Sequence, residues 1–199
     1  MHSEPTPVQL RLVDAPVRVE PNGRDLWASR TADARCGPSE LELDTVFRRY
    51  AGYVAAVALR LLGRDDEVDD VVQEVFVVAM RGLRTLRDPA AIKGWLATVA
   101  VRITRRKLRR RRVRAFLGFD TELDYSKLIV AATQDKALLI TRAYQILDRL
   151  PVDHKIAWML RHVEGEPLEV VANVCRCSLA TVKRRIAAAQ AVLDLEVGE

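Results

Sequence analysis

The stretch EPLEVVANVCRCSLATVKRRIAAAQAV, residues 166–192, decides how the rest of the chain is read. Leu168, Val171, Ala172 and Val174 make the apolar side of a short helix, and Cys175 to Cys177 supply a tight turn. Ser178 then stands at an N-cap position before a second helix, whose Val182, Ile186, Ala189 and Leu193 face inward. Two helices across a tight turn form a helix-turn-helix, which needs a small residue where the helices cross and apolar residues to lock the second one. Ala172 meets the first need, Val182 and Ile186 the second. The outward positions Ala180, Thr181, Lys183, Arg184 and Ala187 are short or basic, which suits close approach to a major groove. A purely structural helical hairpin would show the same apolar pattern; Lys183, Arg184 and Arg185 together favour DNA.

Upstream of this motif, Leu138, Leu139, Ala143, Ile146, Leu147 and Leu150 lie on a helix stopped by Pro151, and Ile156, Ala157, Leu160 and Val163 on another that ends near Gly165. Residues 115–134 break the period and carry Gly118, Asp120, Glu122 and Asp124, so they read as a linker. Three further helices precede the linker. The first, opened by Ser39 and Glu42 at capping-box spacing, carries Leu43, Val46, Phe47, Tyr50, Val54, Val57, Ala58 and Leu61 and ends at Gly63. The second, with Asp65 or Asp66 as cap, carries Val68, Val71, Val72, Val75, Ala79 and Leu83 and runs to about Arg81. The third opens at Asp88 and Pro89, carries Ile92, Trp95, Leu96, Val99 and Ile103, and continues into arginines near 112. Residues 1–38 hold five of the eight prolines and no sustained helical period, which predicts an extended or disordered arm with a short strand as the one alternative over Val8 to Val19.

Charge falls in blocks rather than evenly, which says more about partners than the net +5 does. VRITRRKLRRRRVR, residues 101–114, has nine basic residues in fourteen and no acid. A solvated helix end is the ordinary reading of such a run, but Ile103 and Leu108 continue the apolar stripe and fix the charge on a folded surface, which favours phosphate contact. Phosphate contacts alone give affinity without choice of sequence. The opposite block, Asp65, Asp66, Glu67, Asp69, Asp70 and Glu74, has three readings. A metal-dependent nuclease would converge such carboxylates on magnesium, but no histidine or second acidic motif is there to close the site. A solvated face is common; a docking face is suggested by Val77, Val78 and Met80 beside the acids.

Cys36, Cys175 and Cys177 are an odd count without paired spacing, which points to a reducing cytoplasm rather than a disulfide framework. Zinc held by Cys175 and Cys177 with His154 or His162 is a weaker reading than a small buried thiol at Cys175. The start MHSEPTPVQL lacks the pattern of a signal peptide, and no apolar run approaches the ~20 residues of a membrane helix, so no membrane insertion is expected. No cofactor and no catalytic residue is implied.

Three segments in this order resemble the extracytoplasmic-function (ECF) sigma factors of the sigma-70 family of bacterial RNA polymerase: DEVDDVVQEVFVVAM (66–80), GWLATVAVRITRRKLRRRR (94–112) and LDRLPVDHKIAWMLRHVEGEPLEVVANVCRCSLATVKRRI (147–186). The resemblance covers about residues 41–195. It implies an all-α chain of two small helical domains joined by a flexible linker, the C-terminal one a helix-turn-helix: an arm at 1–38, sigma domain 2 at 39–114, linker at 115–134 and sigma domain 4 at 135–196. It further implies a cytoplasmic transcription initiation factor whose partners are core RNA polymerase, through the beta-prime and beta subunits, promoter DNA and an anti-sigma factor. Asp70, Gln73 and Glu74 would meet the beta-prime coiled-coil. The loop from Leu83 to Lys93 and the helix with Trp95, Arg102, Arg105, Arg106 and Arg109 would open and hold the minus-10 strand, where a flipped base is gripped outside the duplex. Arg161, Thr181, Lys183 and Arg184 would hold the minus-35 duplex, and the acidic linker would thread the polymerase cleft.

The chain departs from the family pattern in places. Arg176 stands in the turn where the family usually has Gly, a costly exchange if φ is positive. Ala187 and Ala188 stand where an aromatic or histidine and then an arginine are frequent, and Arg102 replaces a frequent Asn. The rival readings are a stand-alone helix-turn-helix regulator that binds its operator as a dimer, and the metal-dependent nuclease.

Overall fold

The computed structural model describes residues 43–83, 91–118, 125–129 and 133–197. These form seven α-helices and one 3-10 turn, with no strand among the described residues. The arm at 1–38, the capping pair Ser39 and Glu42, the Asp88–Pro89 start signal and the acids Asp120, Glu122 and Asp124 lie outside them.

Helix α1, Leu43–Leu62, buries the expected stripe at Val46, Val54, Val57, Ala58 and Leu61, and also Leu59 and Leu62, but leaves the expected Phe47 44% exposed. The wider apolar band follows from its position, since α1 packs on α2, on α3 and on α5 of the second half. Gly63 ends it at φ 80°, and a Cβ there would come within 3.2 Å of the rings of both Tyr125 and Tyr144. Helix α2, Val68–Gly82, buries Val68, Val71, Val75, Phe76 and Ala79. Neither Asp65 nor Asp66 caps it as expected: Glu67 holds the cap position without a side-chain bond, and Asp66 pairs with Arg64 instead.

Helix α3, Ile92–Phe116, is 25 residues long and extends beyond the expected end near Arg112. Its apolar stripe continues through Ile103 and Leu108 deep into the arginine run, which keeps the helix folded there. The end of α2 approaches it closely: a Cβ on Gly82 would lie 2.5 Å from the Trp95 ring, so only glycine fits. Of the linker, Tyr125 is buried, caps the 3-10 turn Ser126–Leu128 and donates its hydroxyl to Asp148 at 2.8 Å.

Helix α4, Gln134–Arg149, buries Ala143, Ile146 and Leu147 as expected but differs over its first turns. Ile140, Ala143, Tyr144, Ile146 and Leu147 are buried, whereas Leu138 is 71% and Leu139 43% exposed. Helix α5, Val152–His162, is the centre of the second half and buries six consecutive residues, Lys155 to Leu160. The buried Lys155 ammonium is satisfied by Asp148 at 2.5 Å, and the Trp158 indole donates to Gln190 at 2.8 Å. Helices α6, Leu168–Cys175, and α7, Leu179–Val197, complete the helix-turn-helix.

The two halves touch, with α3 on α5 and α6, and α1 on α5. Arg60 grips Glu164 in a two-pronged pair at 2.5 and 2.8 Å, and the Tyr144 hydroxyl donates to the Arg60 carbonyl at 2.9 Å. Arg112 donates to the carbonyls of Leu150 at 2.5 Å and Arg149 at 3.2 Å, which α4 leaves open at its C-terminus.

Candidate nucleic-acid interface

The helix-turn-helix is built as its sequence suggests, with one strained joint. Val171 and Cys175 on α6 and Val182, Ala189 and Leu193 on α7 are buried, while Ala172 and Ile186 pack half-buried against them. Ser178 caps α7, its hydroxyl accepting from the Thr181 amide at 3.2 Å and meeting the Thr181 hydroxyl at 2.9 Å; such a cap contributes about 1 kcal/mol. Arg176 has φ 51°, the left-handed conformation that costs a residue bearing a Cβ about 1–2 kcal/mol. The turn is therefore closed as a glycine would close it, with the Cys177 amide reaching back to the Ala172 carbonyl at 3.1 Å.

Of the expected outward residues, Ala180, Lys183, Arg184 and Ala187 are exposed, whereas Thr181 is half-buried. Lys183 and Arg184 have no acidic partner among the described residues. Arg185 turns inward, lying 3.3 Å from Asp153 and 3.4 Å from the Cys177 sulfur. Arg161 at the end of α5 is exposed and donates to the Glu166 carbonyl at 3.2 Å. Burial lowers the pKa of His162, with Arg161 adding to it, and likewise lowers that of His154, with Arg185 and Arg184 adding to it. Burial pushes the Cys175 thiol up, as expected of an inert core thiol.

The basic helix α3 is in a different situation. Arg102, Arg106 and Arg109 are exposed on one face with the half-buried Arg105, but most of them already meet a carboxylate. Asp153 on α5 lies 3.0 Å from the Arg105 Nε, at an angle that makes an ion pair rather than a hydrogen bond, and 3.1 Å from Arg109. Arg105 also donates to the Cys175 carbonyl at the end of α6, at 3.3 Å. Arg106 pairs with Glu74, and Lys107 lies 3.3 Å from Asp70. The basic and acidic blocks thus partly neutralise each other. Arg102 alone of these expected α3 contacts has no acidic partner among the described residues. Upstream on α3, Lys93 lies 4.8 Å over the Tyr53 ring and Trp95 is half-buried against Gly82, while residues 84–90 of the loop lie outside the described residues.

On α2, Asp70 and Gln73 are exposed and Glu74 half-exposed, with Val77 48%, Val78 40% and Met80 59% exposed beside them. Acids and apolar groups share one accessible surface. Sequence reasoning missed Asp153 and Glu164, the acids of the second half that tie down arginines of the first. Among the described residues no three histidine, cysteine or acidic side chains converge as metal ligands, and no helix is long and apolar enough to cross a membrane.

Comparison with known proteins places this geometry. The model of sigma-70 region 2 matches residues 46–114, the segment spanning α1 to α3. The chain is 31% identical over 160 residues to the ECF RNA polymerase sigma-E factor of Haemophilus influenzae, a match covering 75% of this chain and 84% of that one. It is 29% identical over 140 residues to the ECF RNA polymerase sigma factor EcfG of Rhodopseudomonas palustris, covering 70% and 76%. In fold it is similar to the sigma factor RpoE of Bartonella quintana, solved with the anti-sigma factor NepR, at a TM-score of 0.61, 20% identity and coverage of 78% of this chain and 96% of that one. CnrH, solved with the cytosolic domain of CnrY, superposes at a TM-score of 0.53 with 23% identity, covering 78% and 87%. A stand-alone regulator has no use for the region 2 helices, and the acidic block that suggested a nuclease is engaged by arginines. With region 2 matched on α1 to α3, a helix-turn-helix at the other end and a relative 31% identical along most of its length, the chain belongs to the ECF sigma factors, the transcription initiation factors that direct RNA polymerase to promoters.

Proposed function

We propose that Asp70, Gln73 and Glu74 dock this chain on the beta-prime coiled-coil of core RNA polymerase, with Val77, Val78 and Met80 supplying the apolar part of the contact. The observation that carries this reading is the accessible surface of α2, where acids and large apolar side chains lie together inside the segment matched to region 2. The segment from Leu83 to Arg112, with Lys93, Trp95, Arg102, Arg105, Arg106 and Arg109, opens and holds the minus-10 strand. Arg161, Thr181, Lys183 and Arg184 hold the minus-35 duplex. In this assignment residues 39–114 act as sigma domain 2 and residues 135–196 as sigma domain 4, the beta subunit being a second surface of the same polymerase. The protein works in the cytoplasm and has no catalytic chemistry of its own. The anti-sigma factor bound to the Bartonella neighbour supports a protein inhibitor of the same kind for this chain.

The docking claim is tested by combining Asp70→Ala with Met80→Asp and measuring co-purification of core polymerase. Recovery should fall at least ~10-fold with the melting temperature unchanged, since truncation of a central contact costs about 1–2 kcal/mol and exposed positions barely affect the fold. Undiminished recovery would refute it.

A further inference from the structure

Where the halves meet, the arginine face of α3 and the α6–α7 turn enclose a cleft of about 390 Å3. Its lining is Arg102, Arg105, Arg106, Arg109 and Arg110 from α3, with Val174 and Arg176 from the other half. No acid lines it. The carboxylates that reach these arginines are Asp153 and Glu74, two groups against six guanidiniums, and both are shared with Arg185 and Lys107 respectively. Arg102, Arg110 and Arg176 have no acidic partner among the described residues. Arg176 moreover is the one non-glycine residue at positive φ among them, so this chain accepts a strained turn that sets a sixth cation against five others. Six like charges converge on two shared internal counterions, and a multiply charged anion is the partner that would balance the rest.

We propose that this cleft binds a compact polyphosphate, a chain of linked phosphates either free or carried on a nucleoside. Its volume suits a small ligand rather than a duplex. Positions 102 to 110 span about 12 Å along the helix, a row that several linked phosphates can follow and a single oxyanion cannot. Guanidinium forks bind phosphate oxygens two at a time, from α3 on one side and Arg176 on the other. The bound ligand bridges the halves and occupies Arg102, Arg105, Arg106 and Arg109, and so withholds them from DNA. That consequence rests on the reading of α3 given above; the binding itself does not.

The test is titration calorimetry on the full chain with sodium tripolyphosphate, with ATP as a second arm and sulfate at matched ionic strength as reference. Tripolyphosphate should bind at one site, at least ~10-fold more tightly than sulfate, and Arg176→Gly should weaken it about tenfold. Glycine suits φ 51°, so this variant keeps or gains thermal stability and its loss of binding cannot be blamed on unfolding. Arg81→Ala and Arg142→Ala, exposed cations outside the cleft, should leave the affinity unchanged. ATP binding as tight or tighter assigns the site to nucleotides, and weaker ATP binding assigns it to free polyphosphate. The proposal is overturned if tripolyphosphate binds no better than sulfate, if Arg176→Gly binds like the parent, or if the outside variants weaken binding as much. Displacement of a promoter duplex by tripolyphosphate is scored separately: a site that binds but displaces nothing stands, and only the DNA role of α3 falls.

Discussion

The two basic surfaces of the molecule differ in what their charge is doing. On α3 half of the ten cations meet carboxylates of their own chain: Asp153 takes Arg105 and Arg109, Glu74 takes Arg106, Asp70 takes Lys107, and Glu67 takes Arg111 at 2.7 Å. At the start of α7, Lys183 and Arg184 are exposed and pair with no acid among the described residues. The denser cluster is thus the less available one. A polyanion approaching α7 displaces only water and ions, whereas one approaching α3 must first compete with internal carboxylates, which lowers the net gain.

The sharpest break of this comparison is charge reversal at the available site. Lys183→Glu with Arg184→Glu should reduce transcription from a promoter bearing the cognate minus-35 element about 100-fold, because two contacts of roughly 1–3 kcal/mol are lost and repulsion is added. The melting temperature should hold, as neither residue supports the fold. Run-off transcription with core polymerase measures it; activity within twofold of the parent would mean that these cations do not hold DNA.

The complementary experiment frees the engaged site. Asp153 is 22% exposed and has three arginines around it, so Asp153→Ala leaves them to repel each other. Discounting for solvent screening, the cost to stability is about 2 kcal/mol, read as a lower urea midpoint. Binding to non-specific duplex should strengthen, with the salt dependence of log affinity steepening by about 1–2 as arginines become free for phosphates. A destabilised variant with an unchanged salt slope would show that α3 cations never reach the duplex.

Much of the fold could be read from periodicity: the stripe of α2 is buried at Val68, Val71, Val75 and Ala79, and the inward residues of α7 at Val182, Ala189 and Leu193. The first turns of α4 were harder. On α4, Leu138 and Leu139 looked like core by type, but packing against α5 and α7 and the buried bond from Tyr144 to Arg60 turn Ile140 and Tyr144 inward instead. Lys155 is buried because Asp148, which also accepts from the Tyr125 hydroxyl, takes its ammonium, and no local pattern announces such a site. The candidate residues for DNA were legible as cations, but their availability was not, since Arg109 and Asp153 are 44 residues apart. Local charge can be counted along a chain, whereas neutralisation is a tertiary property.

A smaller effect separates the cohesion of the halves from their charge. The Arg60–Glu164 pair is 16% and 11% exposed and lies away from the α3 arginine face. Glu164→Gln keeps the shape and removes the charge, which should lower stability by about 1 kcal/mol, the order of one charge-assisted hydrogen bond. Because no cation of the α3 arginine face is released, the affinity for non-specific duplex and its salt slope should stay as in the parent. A slope that steepens as in Asp153→Ala would mean that opening the halves, rather than freeing specific arginines, exposes α3.

The smallest effect comes from two histidines that report on the available cations. His154 and His162 both have their pKa held below the ordinary 6.5, first by burial and then by neighbouring arginines, Arg185 and Arg184 for one and Arg161 for the other. The unfolded chain therefore binds more protons than the folded one just below pH 6.5, so stability is full above that value and declines as pH falls through it, levelling off once the folded imidazoles are protonated too. Urea midpoints between pH 7 and 5 should show this slope, and His154→Gln with His162→Gln should flatten it. The same histidines test the comparison directly. If promoter DNA neutralises Arg184 and Arg161, the penalty for a second positive charge beside them shrinks, and imidazole titrations followed by NMR should move upward on adding the duplex. Midpoints that stay fixed in the complex would place the phosphates elsewhere, since a phosphate paired with these guanidiniums cannot leave the adjacent imidazoles unaffected.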